Sequence, residues 1–274
     1  AAAFFDAIAP AAARFPVWRG ELYFERHRGT FTTQSRAKRG NRLCEQALAA
    51  LETFATFGPG SVYPGELLDR CWKLLLLNQF HDVIPGTSIH EIYDVLDRDY
   101  AGILDDCRAA SLRVAGAALP PDGGAAAIVN TLAEPFSGCI ALPFPNAVED
   151  ATGAPIPCQL EDGRCVAFVH VGGLASASLR KRPEPAPTRT AGSGLVLENA
   201  SVRYAFDAHG ALVSAFDKTA SRELLSGPGN LLKVYQDRYH DEDAWDIEPF
   251  YGEIAPTVLC GEPSPNPGAC GPAR

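Results

Sequence analysis

Apolar positions recur every three or four residues through the first part of the chain and every second residue through the latter part. The period changes at Pro120-Pro121-Asp122-Gly123-Gly124. In the first regime, Leu43, Ala47, Leu48, Leu51 and Ala55 predict a helix that Thr32 or Thr33 can cap and that Gly58-Pro59-Gly60 stops. A second helix is expected from near Pro64, with Leu67, Leu68, Trp72, Leu75 and Phe80 on its buried side. Ser88 and Glu91 make a capping-box pattern for a third, whose apolar stripe is Ile89, Ile92, Leu96, Tyr100, Ile103 and Cys107. Three amphipathic helices joined by short breaks bury their stripes most economically as a bundle.

In the second regime, short apolar runs alternate with Gly, Pro and Asp turns: Ile128-Val129, Cys139 to Leu142, and Val166 to Val169. Val202, Tyr204 and Phe206 alternate strictly, and Leu212, Ser214 and Phe216 follow a turn at Ala208-His209-Gly210. The pattern predicts an antiparallel β-sandwich, so the fold class expected is α+β. Ser176 to Gly194, rich in Pro, Ser, Thr and basic residues, reads as a long mobile loop. The expected organisation is a lead-in over 1–32, a helical bundle over 33–119, a β-sandwich over 125–253 and an irregular Pro/Gly-rich tail over 254–274. Within the lead-in, Ala1 to Trp18 reads as the tail of a helix, and Gly20 to Gln34 as an extended segment.

Composition narrows the partners. A net charge of -9 and a pI near 5.2 argue against a broad nucleic-acid surface or an anionic membrane partner. No apolar run approaches the roughly 20 residues that span a bilayer. The chain has no methionine, even at position 1, which is the expectation for a piece whose N-terminus lies upstream. Its eight cysteines include no Cys-x-x-Cys pair, so small buried thiols in a reducing compartment are expected rather than a thiolate zinc site.

The candidate chemistry sits where the second helix ends, at Asn78-Gln79-Phe80-His81-Asp82-Val83-Ile84-Pro85-Gly86-Thr87. One reading makes His81 a cap on the helix dipole and Asp82 a turn stabiliser. The other makes His81 a metal ligand and Asp82 a substrate-binding acid, held rigid by the helix behind them. One such pair cannot complete a zinc site of about four ligands.

That motif, with Gly20-Glu21-Leu22-Tyr23, His27-Arg28-Gly29-Thr30, Thr32-Thr33-Gln34 and Lys38 to Arg42, resembles the middle part of α-mannosidases of glycoside hydrolase family 38. The likeness is to the cytosolic branch and its microbial relatives. Leu197-Glu198-Asn199, Asp207 to Gly210, Asp217-Lys218 and Asp243-Ala244-Trp245-Asp246-Ile247 resemble the β-domain of the same proteins. Arg238-Tyr239-His240 departs from the proline-containing wording of that family. The resemblance implies a zinc-dependent, retaining exo-α-mannosidase acting on mannose-containing oligosaccharides in the cytoplasm. It carries over His81 as a Zn2+ ligand and Asp82 as an acid that binds sugar hydroxyls. His27, Arg28, Asp243, Trp245 and Asp246 are further cleft candidates. For each, polar anchoring or core packing is the competing reading.

A retaining mechanism needs two carboxyl groups about 5 Å apart. The resemblance places both, with the remaining zinc ligands, in an N-terminal α/β barrel that this chain does not include. No catalytic residue is therefore assigned, and the chain alone is expected to be inactive. Its expected partners are the oligosaccharide and that barrel, with no nucleic acid and no membrane. A homo-oligomer is left open. The alternatives are a non-catalytic carbohydrate-binding or interaction module, and a degenerate product without activity.

Overall fold

The computed structural model of the chain describes residues 2–20, 27–118, 125–188, 195–238, 240 and 244–259. A short helix α1 (Ala2–Ile8) and a 3-10 turn over Ala9–Arg14 open the chain without burying a side chain. Helices α2 (Ser35–Ala55), α3 (Gly65–Leu77) and α4 (His90–Ala118) then form the expected bundle. Arg36 pairs with Asp97, and the Cys44 thiol meets the Tyr100 carbonyl, so α2 and α4 run in the same direction. Arg70 pairs with Asp106 while Asn78 reaches Asp99, so α3 runs opposite to α4. The end of α3 therefore lies at the end of the bundle where both α2 and α4 begin.

The seam is regular. Tyr93, Leu96, Tyr100, Ile103, Cys107, Ala110 and Val114 alternate three- and four-residue steps along α4. Leu68, Cys71 and Leu75 do so on α3, and Cys44, Leu48, Leu51 and Ala55 on α2. Leu48, Leu51, Leu75, Leu96 and Ile103 are sealed from solvent, each contributing about 1.5–3 kcal/mol. Some expected positions are corrected by one residue. Leu43 is 38% exposed where Cys44 is buried, and Ile92 is 38% exposed where Tyr93 is buried. Ile89 precedes α4 and is exposed. A stripe extrapolated backwards in steps of three or four allows either neighbour. Tyr93 takes the inner position because its hydroxyl finds partners there, accepting from the Ser88 N–H and lying 3.4 Å from the Val83 carbonyl.

The strands follow in chain order: β1 (Ala125–Val129), β2 (Phe136–Ala141), β3 (Asn146–Glu149), β4 (Cys158–Glu161), β5 (Arg164–Val171) and β6 (Ser176–Pro185). They form two antiparallel sheets, β1-β6-β3 and β2-β5-β4. Val148 and Leu179 from one sheet share a core with Cys165, Ala167, Val169 and Val171 from the other. The segment read as a mobile loop is thus corrected over its first half, because β6 is the central strand of its sheet. Its polar run hides one sealed side chain, Leu179. Neighbours on both sides pair its backbone, which a composition argument does not register.

Strands β7 (Val196–Glu198), β8 (Val202–Phe206), β9 (Leu212–Asp217) and β10 (Arg222–Glu223) make a separate antiparallel sheet. Among the described residues, the core shared by those two sheets draws on residues between Ala126 and Ala186, and no residue of β7 to β10 contributes to it. Backbone N–H groups of Leu225, Ala215 and Leu224, with the Ser214 hydroxyl, hold the Glu223 carboxyl down at about 2. Finally β11 (Leu232–Val234) pairs with β12 (Thr257–Leu259), which places a strand inside the segment expected to be irregular. Among the described residues six cysteines are free thiols, of which Cys44, Cys71, Cys107 and Cys165 are buried, Cys158 half-buried and Cys139 exposed. Burial pushes the Cys44 and Cys107 thiols up to about 11, which makes them inert packing groups.

Two helix glycines separate packing from propensity. A Cβ on Gly40 would sit 2.4 Å from the buried Tyr100 ring, whereas one on Gly102 meets nothing within 4 Å. Gly40→Ala should cost about 1–3 kcal/mol, and Gly102→Ala should gain about 0.5–1 kcal/mol. Urea unfolding of the two variants reads both signs; equal effects would contradict the packing described.

Candidate functional site

Helix α3 stops at Leu77, and the next two residues tie its end to the neighbouring helices. Asn78, only 8% exposed, donates from its amide to Asp99 on α4 at 3.0 Å. Gln79 donates to Asn41 and Glu45 on α2 at 2.9 and 3.0 Å. Beyond them the N–H groups of Val83 and Ile84 return to the Phe80 carbonyl, and the Gly86 N–H to the Val83 carbonyl. Val83 packs on the bundle core. The Asp82 carbonyl accepts from the Ser88 hydroxyl at 2.6 Å and the Thr87 hydroxyl at 3.2 Å. Ser88 therefore closes this turn instead of forming the expected capping box, and α4 begins at His90.

The other side of the turn is held from a distance in sequence. Gly86 has φ +98°, and a Cβ there would lie 2.6 Å from the Thr33 carbonyl oxygen. The Lys38 ammonium donates to that same Thr33 carbonyl and to the Pro85 carbonyl, the latter at 2.7 Å. Burial lowers its pKa. The Thr33 hydroxyl lies 2.8 Å from the Gly29 carbonyl and 3.0 Å from that of Ala244. The Gly29 N–H donates to the Trp245 carbonyl at 3.0 Å, and a Cβ on Gly29 would lie 2.9 Å from the Asp246 backbone. These contacts correct two expectations. Residues 29–31 form a 3-10 turn rather than extended chain, and Gln34, left-handed at φ 49°, precedes α2 without a side-chain cap. The threonine expected as a cap is engaged with the 244–246 loop.

On this frame His81 and Asp82 stand outward, their side chains 75% and 47% exposed. His81 Nε2 lies 3.4 Å from an Asp82 carboxylate oxygen, and its ring packs on Phe80 at 4.2 Å. Phe80, expected on the buried side of the helix, is 53% exposed, because the helix ends before reaching it. Asp82 also lies 3.4 Å from the Thr87 hydroxyl, a long contact that leaves most of its acceptor capacity available. Of the other candidates, His27 packs on Trp245 with ring centroids 5.0 Å apart, and Asp246 accepts the Ile247 N–H. Arg28 lines a cavity of about 520 Å³ with Tyr235, Asp237, Ile247 and Tyr251. Asp243 lies outside the described residues.

The chain brings His27, Arg28, Trp245 and Asp246 into one cluster, tied through Thr33 and Pro85-Gly86 to the turn that carries His81 and Asp82. Among the described residues no three His, Cys, Asp or Glu side chains group as a metal site. An outward imidazole beside a carboxylate fits one corner of a zinc site of about four ligands and no more. Sequence reasoning missed Lys38, Thr33, Gly86 and Tyr93 as the brace, and Tyr235, Asp237 and Tyr251 as cavity lining. The Pro85-Gly86 pair was the one local signal of a constrained turn.

Residues 25–115 match the α-mannosidase middle domain, and residues 197–261 match the C-terminal domain of glycosyl hydrolases family 38. The chain is 30% identical over 269 residues to α-mannosidase 2C1 of Mus musculus and 30% identical over 266 residues to that of Homo sapiens, covering 93% of this chain in each case. It spans 25% of the length of these relatives. A solved glycosyl hydrolase family 38 protein from Enterococcus faecalis has the same fold, with a TM-score of 0.55 and 16% identity over 86% of this chain and 38% of that one. The chain belongs to glycosyl hydrolase family 38 and carries segments of its middle and C-terminal domains.

The brace predicts its own failure. Gly86→Ala combines left-handed strain with a contact to the Thr33 carbonyl, and Lys38→Met leaves two carbonyls without their donor, each change costing about 1–3 kcal/mol. Hydrogen exchange should show the Val83, Ile84 and Gly86 amides losing protection while those of β5 and β6 keep theirs. Unchanged protection in the turn would mean that these contacts do not brace it.

Proposed function

We propose that this chain supplies the helical middle domain and β-domain of a zinc-dependent, retaining exo-α-mannosidase that acts on mannose-containing oligosaccharides in the cytoplasm. The observation that carries the reading is the braced turn, which holds one imidazole and one carboxylate side by side and outward. His81 would be one zinc ligand, presented by Nε2. Asp82 would accept hydrogen bonds from sugar hydroxyls, a task suited to an ionised, acceptor-only group. Zinc, when bound, would supply a charged template for sugar oxygens. Beside the pair, Leu76, Leu77 and Phe80 are 59%, 68% and 53% exposed, an apolar edge suited to cover by a further domain. The location rests on the resemblance to the cytosolic branch. It is compatible with the absence, among the described residues, of any helix long and apolar enough to cross a membrane.

On this reading the nucleophile, the acid/base group and the other ligands come from a partner domain, and the chain alone hydrolyses no mannoside. Purified chain incubated with zinc and an aryl α-mannoside should release nothing above the buffer blank; turnover that a chelator abolishes would overturn this. In the polypeptide extended to the length of its relatives, His81→Ala should lose zinc and activity while the bundle still folds. If His81 only capped the helix dipole, the loss would be about 0.3–1 kcal/mol of stability with metal content unchanged. Asp82→Asn keeps one acceptor oxygen and replaces the other with a donor. It should weaken mannose recognition and leave the shape of the pH profile alone. Rescue by azide or formate would instead make Asp82 a reacting group and refute the binding role.

A further inference from the structure

We propose that Cys158 and Cys165 make a dithiol site in the β-domain, which a small disulfide such as glutathione disulfide converts reversibly into an internal cross-strand bond. Neither thiol has a part in the function proposed above.

The hairpin of β4 and β5 places the pair. Cys158 stands opposite Ala167 and Leu160 opposite Cys165, so the two cysteines are diagonal neighbours on one face of the hairpin. The Phe168 N–H donates to the Pro157 carbonyl at 2.8 Å, which makes 157 and 168 a bonded pair. The 158/167 and 160/165 pairs are then the non-bonded ones, in which side chains come closer across the ladder. Cys165 is sealed in the core between the two sheets, and Cys158, half-buried, packs against that core. The two thiols share a hydrogen bond. The other described cysteines are placed differently. Cys139 stands opposite Phe168 and is exposed on the outer face of its sheet, and Cys44, Cys71 and Cys107 are buried on three separate helices.

Access assigns the two roles. Cys158 begins the outer strand of the β2-β5-β4 sheet and can meet a solute, whereas Cys165, on the central strand, cannot. The Cys158 thiolate attacks one sulfur of glutathione disulfide. A Cys158–glutathione bond forms, the glutathione S–S bond breaks, and the departing thiolate takes up the proton that Cys158 lost. Cys165 then attacks the Cys158 sulfur and releases the second glutathione in the same way. The protein pair is oxidised by two electrons, and the glutathione disulfide is reduced by two. Burial pushes the Cys165 thiol up to about 11, and the neighbouring Cys158 thiol adds to the rise. That second contribution vanishes once Cys158 is in the mixed disulfide, which favours the closing step. A diagonal pair starts wider than a relaxed disulfide requires. Closing the bond therefore draws the end of β4 inward, and a bond strained in this way is easily reduced. The site is a reversible mark rather than a staple.

The test uses the 274-residue chain carrying Cys139→Ser, which removes the second cysteine from the tryptic peptide that ends at Arg164. Trypsin cuts after Arg164, between Cys158 and Cys165. The folded chain is treated with glutathione disulfide, its remaining thiols are blocked with N-ethylmaleimide in urea, and the unreduced digest is read by mass spectrometry. The peptide ending at Arg164 should be joined to the one beginning at Cys165, with the loss of both alkylatable thiols, and dithiothreitol should separate them. In a chain that also carries Cys158→Ser, Cys165 should stay free and take up N-ethylmaleimide. Cys44, Cys71 and Cys107 should stay free throughout; their oxidation alongside the pair would mean that the bond forms from unfolded chain, and would overturn the proposal. It would equally be overturned by Cys158 stopping at the glutathione adduct with Cys165 still reduced, by Cys158 joined to any other cysteine, or by both thiols left unreacted.

Discussion

The geometry of the His-Asp shoulder depends on one half-buried cation, the Lys38 ammonium set between the carbonyls of Thr33 and Pro85. Gly86 brings the backbone of its turn so near Thr33 that a methyl group would not fit between them. Carbonyls so placed lose access to water, and a buried acceptor without a partner costs free energy comparable to a lost hydrogen bond. Lysine answers this with a flexible stem and several donors on one atom. The lowered pKa of Lys38, caused by burial, records the desolvation that this position imposes. Thr33 passes the constraint onward, since its hydroxyl lies against the Gly29 and Ala244 carbonyls. A single chain of polar contacts thus joins the bundle end, the 29–33 turn and the loop around Trp245.

The bundle gives this network a rigid base. Along the seam every inner position is apolar until the last turn of α3, where Asn78 continues the spacing of Leu68, Cys71 and Leu75. A buried amide at the end of an apolar seam would be costly alone, but Asp99 accepts from it. Gln79, one position on, divides its donors between Asn41 and Glu45. The transition from apolar seam to polar shoulder is therefore made with its side-chain donors satisfied. His81 and Asp82 are displaced by little because the residues before them are bonded to two helices.

How much was legible in the sequence depends on the range of the forces involved. The helices and most strands were readable because periodic burial is a local property of the chain: Leu96, Ile103 and Cys107 are inside as their spacing requires. Strand β6 was not, because its place at the centre of a sheet depends on backbone pairing with β1 and β3 rather than on its own composition. Thr33 looked like a helix cap, a local role, and it serves a partner 211 residues away. The His81-Asp82 pair stood out by residue type and motif. The brace around it did not, since lysine, threonine and glycine are common on any surface. Tyr235, Asp237 and Tyr251 carry no motif at all, and only the fold brings them to Arg28.

The exposure of the shoulder is itself informative. A His-Asp pair in water interacts weakly, because solvent screens charges a few ångströms apart to about 1 kcal/mol or less. Yet the chain holds this pair with two helices, a half-buried lysine and a glycine in left-handed conformation. Leu77 and Phe80, 68% and 53% exposed, flank it and gain nothing from water. Such an edge is unfavourable in the open and favourable once another surface covers it, at about 25 cal/mol per Å² of apolar area removed from solvent. Covering would also lower the local dielectric and strengthen every polar interaction His81 and Asp82 make. On the function proposed here, rigidity, apolar rim and outward polar pair have one cause. The turn is organised for an environment that a second domain completes.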